Sequence, residues 1–575
     1  MIRLFRFLRP YRITLVLVIV LASAQAFANL YLPTLMANIV DTGIVKGDTN
    51  YILRVGGVML LITVAGMLCA IAGSYYGARV AIGFGRLVRG KLFQRVEQFS
   101  LHEFDTVSTA SLITRTTNDT TQVQQVLVII LNMMISAPLM AVGGIILAIN
   151  QDAGLSWILV VIIPILLVSI LLIMWRAIPL FRVIQSKLDK LNLILDEGLA
   201  GVRVIRAFDR NNYELKRFDG ANEDLTDVSI RVNRIVAIMM PLMFFILNMS
   251  SIAILWFGAG RINAGQMQVG ALIAFLQYAM QILFALLMLS MMFIMLPRAA
   301  ASADRINQVL DIEPEIKDAA TVQDTDSERG YVEFQDVTFS YPGAEEPAIS
   351  NVSFQAHPGE VTAIIGGTGS GKSTLVSLIP RFYDIDTGRI LVDGVDISKM
   401  SQHHLREKIG FVPQKAVLFS GTIAENIRYG KEDATDAEVQ HAADTAQASE
   451  FIADMADGLD SIIAQGGNNV SGGQKQRLSI ARALVRKPEL YVFDDSFSAL
   501  DFKTDAQLRA ALKRETLDAT VLIVAQRVST VMDADQIIVL DEGRIVGIGT
   551  HRALMQSNEV YREIVTSQLS LEEVA

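Results

Sequence analysis

Val361-Thr362-Ala363-Ile364-Ile365-Gly366-Gly367-Thr368-Gly369-Ser370-Gly371-Lys372-Ser373-Thr374 decides the reading of the C-terminal half of this chain. An apolar, β-branched run leads directly into a turn of the form GxxxxGK[ST], which predicts strand, loop and helix in succession. The glycines let backbone N–H groups turn toward phosphate oxygens with no Cβ in the way. Lys372 offers a point charge to β- and γ-phosphates, and Ser373 offers a hydroxyl to Mg²⁺. Downstream, Leu490-Tyr491-Val492-Phe493-Asp494 reads as a second buried strand ending in a carboxylate, a further oxygen for the same ion. ATP and Mg²⁺ are therefore the expected cofactors.

The N-terminal half is written for a different solvent. The chain has 575 residues, too many for one core, so two or three domains are expected. Between Arg12 and Asp41, Arg54 and Arg79, Asp119 and Asp152, Asp152 and Arg176, Arg234 and Arg261, and Arg261 and Arg298 there is no Asp, Glu, Lys or Arg. Each run is long enough for the roughly 20 residues that cross a bilayer, which predicts six membrane-spanning helices within residues 1–310. The first run continues through Leu30, Tyr31 and Leu32 without a small-residue cleavage site and is read as retained. A polar, acidic stretch, Asp318 to Arg329, marks a linker at 311–330, and a soluble domain is expected over 331–575.

Loop charge orients the spans. Arg3, Arg6, Arg9 and Arg12 precede the first; Arg79, Arg86, Arg89, Lys91 and Arg95 follow the second; Arg176, Arg182, Lys187 and Lys190 follow the fourth. Both termini are thus expected in the cytoplasm. The first ten residues, apolar positions among arginines, are read as an interfacial helix. The long connections Arg79–Asp119 and Arg176–Arg234 keep helical spacing, so spans two to five are expected to continue as helices beyond the membrane. A net charge of -9 excludes nucleic acid as the main partner, and Cys69, the sole cysteine, excludes an intrachain disulfide.

Between the two phosphate-site motifs stands Val470-Ser471-Gly472-Gly473-Gln474, followed by Lys475-Gln476-Arg477. Glycine-rich loop, LSGGQ-like signature and acidic strand, in this order, resemble the ATP-binding cassette (ABC) family. With the six spans the resemblance covers essentially the whole chain. It looks like a half-transporter of the type IV exporter fold, similar to the degenerate-site subunit of bacterial heterodimeric multidrug exporters. The implied fold class is multidomain: an all-α six-helix transmembrane domain plus an α/β P-loop ABC nucleotide-binding domain.

The resemblance implies further roles. Tyr341 stands where an aromatic stacks on adenine, and Gly366 to Thr374 hold the phosphates. Gln414 matches a glutamine that contacts Mg²⁺, so Ser373, Gln414 and Asp494 form the implied metal set. Ser498-Ala499-Leu500-Asp501 matches the D-loop, which crosses to the partner's site. Ser471, Gly472, Gly473 and Gln474 act on ATP bound to the opposite subunit, so a second half-transporter is the implied partner. Coupling helices are expected near Ala110–Arg115 and Phe208–Tyr213.

Two positions depart from the family pattern. Asp495 stands where efficient members carry the glutamate that orients the attacking water, and its carboxylate is drawn back by about 1 Å. Gln526 replaces the switch histidine and neither carries its charge nor relays a proton. Gln465-Gly466-Gly467 also lacks the acid common before the signature. The expectation is a heterodimer in which this chain's Walker side binds ATP but turns it over poorly, while its signature completes the partner's working site. Alternatives are a slow homodimer, the same fold moving lipid, peptide or siderophore, or a regulatory subunit that transports nothing.

Span six carries Met280, Met288, Met291, Met292 and Met295 with Phe275, Tyr278, Phe284 and Phe293, and span five Met239, Met240, Met243 and Met249. Soft side chains beside aromatics suit a cavity for varied small hydrophobic substrates, and equally suit helix packing in lipid. Short loops with no organelle-targeting extension suggest a bacterial inner (plasma) membrane.

Overall fold

The computed structural model describes residues 1–319 and 329–568, apart from the side chains at positions 2 and 291–294. Residues 320–328 of the expected linker lie outside the described residues, as do the side chains of Met291, Met292 and Phe293. The chain divides into two compact units, Met1–Glu97 with Ala110–Ile312, and Gln98–Thr109 with Glu313–Ala575.

Six helices of the first unit are long and apolar enough to cross a membrane: Arg3–Ile44, Thr49–Val96, Thr109–Gln151, Trp157–Ala200, Asn211–Asn263 and Val269–Asp311. In hydrocarbon a backbone must satisfy its own N–H and C=O groups, so runs of this length close into helices. At 1.5 Å per residue the 53-residue fifth helix is about 80 Å long against a hydrocarbon layer of about 30 Å. The excess is its polar first half, which pairs with the end of the fourth helix through Lys187 with Asp224 and Arg217 with Glu197. The helical continuation expected from the sequence is therefore present.

Buried polar contacts fix the register of these helices. Tyr278 is fully buried and donates to the Leu30 carbonyl at 3.0 Å, with Thr34 Oγ1 2.6 Å away. Asp152, also buried, accepts from Arg261 Nε at 2.9 Å and from the Leu155 N–H at 2.8 Å. Asp119 accepts from Ser302 Oγ at 2.9 Å and Arg305 Nε at 2.8 Å. Residues 2–11 form a 3₁₀ helix that runs into the first span.

The second unit is α/β. Its antiparallel sheet has the order β2-β1-β4-β5, built from β1 Val332–Phe339, β2 Ile349–Ala356, β4 Thr387–Val392 and β5 Val395–Asp396. The larger sheet runs β12-β11-β3-β10-β9-β6, with β3 Val361–Gly366, β6 Ile409–Val412, β9 Leu490–Asp494, β10 Thr520–Val524, β11 Gln536–Asp541 and β12 Arg544–Gly549. Five of its strands are parallel and β12 is antiparallel to β11. A two-stranded ribbon, β7 Gly421–Thr422 and β8 Ile462–Ile463, completes the strands among the described residues. Alternation along the central strands feeds two cores. Tyr491, Phe493, Val521 and Ile523 pack in one, while Leu490, Val492, Leu522 and Val524 pack in the other. A parallel sheet buried on both faces reads as continuous apolar runs, which is why β3 and β9 stand out in sequence.

One expectation shifts. The short helix between the second and third spans is Leu101–Val107, and the segment belonging to the second unit is Gln98–Thr109, ahead of the expected Ala110–Arg115. Ser100 and Glu103 form a capping box at its start, and Glu103 also accepts the Glu315 N–H at 2.9 Å. The corresponding short helix between the fourth and fifth spans is Val202–Ala207, ending where the expected Phe208–Tyr213 begins.

Candidate nucleotide site

Strands β6, β9, β10 and β3 are consecutive neighbours and parallel, so their carboxyl ends lie side by side. Gln414 follows β6, Asp494 ends β9 and Asp495 follows it, Gln526 follows β10, and the glycine-rich loop follows β3. This is the edge at which open α/β sheets bind ligands. A cavity of about 310 Å³ opens here, lined by Tyr341, Thr368, Gly369, Gly371, Lys372, Ser373, Thr374, Gln414, Asp495 and Gln526 among others. Ser471 to Gln474 are not among the residues lining it.

The loop has the shape its glycines permit. Gly369 and Gly371 adopt φ of +84° and +96°, and a Cβ at Gly371 would lie 2.8 Å from the Ala348 carbonyl oxygen. Gly366 closes the end of β3 so tightly that a Cβ would meet the Leu540 carbonyl oxygen at 2.1 Å. Lys372 folds over the loop, donating to the carbonyls of Gly366 at 3.0 Å and Gly367 at 2.6 Å. Burial lowers its pKa, against the pull of Asp495 and Asp494.

Ser373 donates from Oγ to Asp494 Oδ1 at 2.8 Å. Burial raises the Asp494 pKa, and a cation beside it would relieve that cost. Among the described residues no group of three or more His, Cys, Asp or Glu side chains could hold a metal by itself. A hydroxyl, a carboxylate and the Gln414 amide oxygen are hard donors in small number, which fits Mg²⁺ completed by phosphate oxygens and water.

Asp495 occupies the centre. Its φ of +45° lies in the left-handed region, where a residue with a Cβ is strained. The Asp495 N–H donates to the Val524 carbonyl at 3.0 Å and Ser498 Oγ donates to the Asp495 carbonyl at 2.9 Å, which hold it there. Asp495 Oδ2 accepts from Gln526 Nε2 at 2.8 Å and from Gln414 Nε2 at 3.1 Å. Burial raises the pKa of Asp495, with the Gln414 amide opposing.

Tyr341 is half-exposed beside the loop, its hydroxyl 3.0 Å from Thr374 Oγ1. Its ring stands edge-on to Phe339 and Tyr383, at 5.0 and 5.4 Å between centroids. Tyr383 carries no sequence signal. Burial, reinforced by Tyr341 and Asp105, pushes the Tyr383 pKa up to about 12.

The signature lies at the start of the Gly472–Leu484 helix, where Ser471 is the N-cap. Ser471 Oγ accepts the Gln474 N–H at 3.3 Å, and Gln474 Oε1 accepts the Ser471 N–H at 2.8 Å. This capping box leaves Ser471 and Gly472 exposed at a helix N-terminus, suited to an anion. Ser498 and Ala499 are exposed, Leu500 is buried, and Asp501 caps the Phe502–Glu515 helix. Arg527 braces this turn through the carbonyls of Ser498 and Leu500 at 3.0 and 3.3 Å.

In the first unit a second cavity, of about 370 Å³, is lined in part by Phe284 and Met288 of the sixth span. Phe275 and Tyr278 instead are fully buried in helix packing.

Comparison with known proteins matches residues 15–297 to the family described as the ABC transporter transmembrane region, and residues 349–498 to the ABC transporter family. An uncharacterized ABC transporter ATP-binding protein of Mycobacterium tuberculosis is 46% identical over 565 residues, covering 98% of this chain and 97% of that protein. The ATP-dependent lipid A-core flippase of Pseudomonas fluorescens is 34% identical over 493 residues, covering 86% and 82%. A solved bacterial Atm1-family ABC exporter with ATP bound superimposes with a TM-score of 0.81 at 26% identity, covering 98% of this chain and 99% of that chain.

Proposed function

Because the chain belongs to the ABC transporter family, as an integral-membrane half-transporter with an ATP-binding domain, we propose that it is one subunit of a heterodimeric exporter whose own nucleotide site holds ATP but hydrolyses it poorly. The observation that carries this reading is the double occupation of Asp495 Oδ2 by the amides of Gln414 and Gln526. A general base must present a lone pair to the proton it takes. Here the shorter carboxylate is set back and its outer oxygen already accepts two N–H groups. Gln526 spends its donor on the base position instead of aiming it at a phosphate.

The remaining roles follow from this arrangement. Tyr341 stacks on adenine, residues Gly366 to Thr374 cradle the phosphates, and Lys372 leaves the Gly366 and Gly367 carbonyls for the phosphate oxygens. Ser373, Asp494 and Gln414 would hold Mg²⁺, which would supply positive charge against that developing on the phosphates. Ser471 to Gln474 close over the partner's ATP, and Ser498 to Asp501 reach across the same interface. Arginine-rich inner loops put both termini in the cytoplasm, at a bacterial inner membrane. The cargo is a small hydrophobic compound. A lipid is the second reading, favoured by the 34% identity to the lipid A-core flippase.

The experiment is steady-state ATPase of the complex that co-purifies with the full chain. Ser471→Ala removes a donor to the transition state at the partner's nucleotide and lowers turnover about 10²-fold, whereas Lys372→Ala, acting at the poor site, lowers it less than about tenfold. Equal losses would replace the heterodimer with a symmetric homodimer.

A further inference from the structure

The ATP-binding unit holds another cavity, of about 480 Å³, which shares no lining residue with the nucleotide site. It lies between the Phe502–Glu515 helix and the large sheet. Val361 opens β3 and Val521 is the second residue of β10, so the cavity sits toward the end of these strands away from the glycine-rich loop. The helix leaves this space because Ala506 and Ala510, one turn apart, face it where larger side chains would fill it. Leu512, Val521 and Ile523, almost wholly buried, form an apolar floor.

The mouth is cationic. Arg509 and Lys513 line it from the same helix, again one turn apart. Lys513 is exposed and makes no ion pair among the described residues. Arg509 Nη2 holds the buried Asp505 at 3.3 Å, but Nη1 reaches Asp533 only at 3.7 Å, beyond hydrogen-bond length, and Asp533 is 88% exposed. A pair so open to water contributes little. Although Arg509 Nε is sealed away, Nη1 keeps accessible surface. One edge of the guanidinium thus stands ready for a better acceptor, beside an ammonium and above an apolar floor. Two cations and one acid leave a single positive charge, which suits a ligand with one negative charge.

We propose that this cavity binds a compact amphipathic carboxylate, its apolar body against Leu512, Val521 and Ile523 and its head between Arg509 Nη1 and Lys513 Nζ. The site goes beyond the exporter reading and does not depend on it.

The test uses the full chain in lipid nanodiscs, with Mg²⁺ and a non-hydrolysable ATP analogue present so that the phosphate loop does not compete for the probe. Equilibrium dialysis measures binding of radiolabelled 2-naphthoate, 2-naphthamide and 2-naphthylmethylammonium, with empty nanodiscs as the blank. The three share one apolar body and differ in the head. Naphthoate is expected to bind at least about tenfold more tightly than the amide, the scale of one charge-assisted hydrogen bond, and the cation most weakly. Arg509 is left in place, since Asp505 is buried beside it. Lys513→Glu, at an exposed position, should bring naphthoate and the amide within about twofold. Ala506→Leu with Ala510→Leu fills the space with good helix formers and should weaken naphthoate at least about tenfold. Arg514→Gln, exposed on the same helix but outside the cavity, keeps the preference. Equal binding of naphthoate and the amide to the natural chain, or a preference unchanged in both the Lys513→Glu and the double-leucine chains, would overturn the proposal.

Discussion

Asp495→Glu combined with Gln526→His asks whether the chain's own nucleotide site is slow for the reason its geometry gives. The carboxylate moves outward by about 1 Å, and a misplacement of that size in a positioned base is worth about 10²-fold, or ~2.7 kcal/mol of barrier. Removing the Gln526 amide, 2.8 Å from Asp495 Oδ2, also frees an acceptor held by about 1 kcal/mol, a factor below ten. The expected gain is therefore near 10²-fold. Reading it requires silencing the other site, which Ser471→Ala does from within the same chain, since this signature serves the partner's nucleotide. The assay is single-turnover release of γ-phosphate from the co-purified complex carrying Ser471→Ala, with and without the double change. A rise of less than about threefold, well under one hydrogen bond's worth, would refute the claim that residues 495 and 526 limit this site. So would a Ser471→Ala complex that hydrolyses ATP at the natural rate.

Other expectations concern stability and pH. Gly371→Ala sets a Cβ 2.8 Å from the Ala348 carbonyl oxygen at a φ of +96°, and should cost the ATP-binding domain about 1–3 kcal/mol in thermal unfolding and weaken ATP binding with it. Although burial opposes it, bonds from Ser100 and the Glu315 N–H hold Glu103 below its ordinary pKa. The stability it contributes is thus present above the ordinary carboxylate range and lost as pH falls through that range and below. Glu103→Gln should cost about 1 kcal/mol at neutral pH and flatten that acid limb, measured by melting temperature against pH. Arg261→Ala leaves Asp152 with a side chain 4% exposed and uncompensated, a loss of about 3 kcal/mol, and Arg261→Lys should cost less; melting in detergent separates them.

The spans were legible because a charge in hydrocarbon is so costly that long runs without one point to a bilayer and to little else. The glycine-rich loop was legible because each glycine answers a local steric demand. What failed to show was anything assembled across distance. Gln414 and Gln526 are separated from Asp495 by 81 and 31 positions, and only the order β6-β9-β10 brings their amides to one oxygen. Tyr383 sits in a segment with no periodic signal. The displaced Leu101–Val107 helix was within reach: Ser100-x-x-Glu103 is a capping-box pattern, but a seven-residue helix is too short for periodicity to compete with the long spans on either side.

The ion pairs that tie the polar half of the fifth helix to the fourth have a mechanical consequence. Two rods fastened at Lys187–Asp224 and Arg217–Glu197 resist bending together better than either would alone. Over a length of about 80 Å, a tilt of a few degrees at one end becomes several ångströms of travel at the other. The pair is built as a lever, and cutting either pin should soften the stroke before it changes the chemistry.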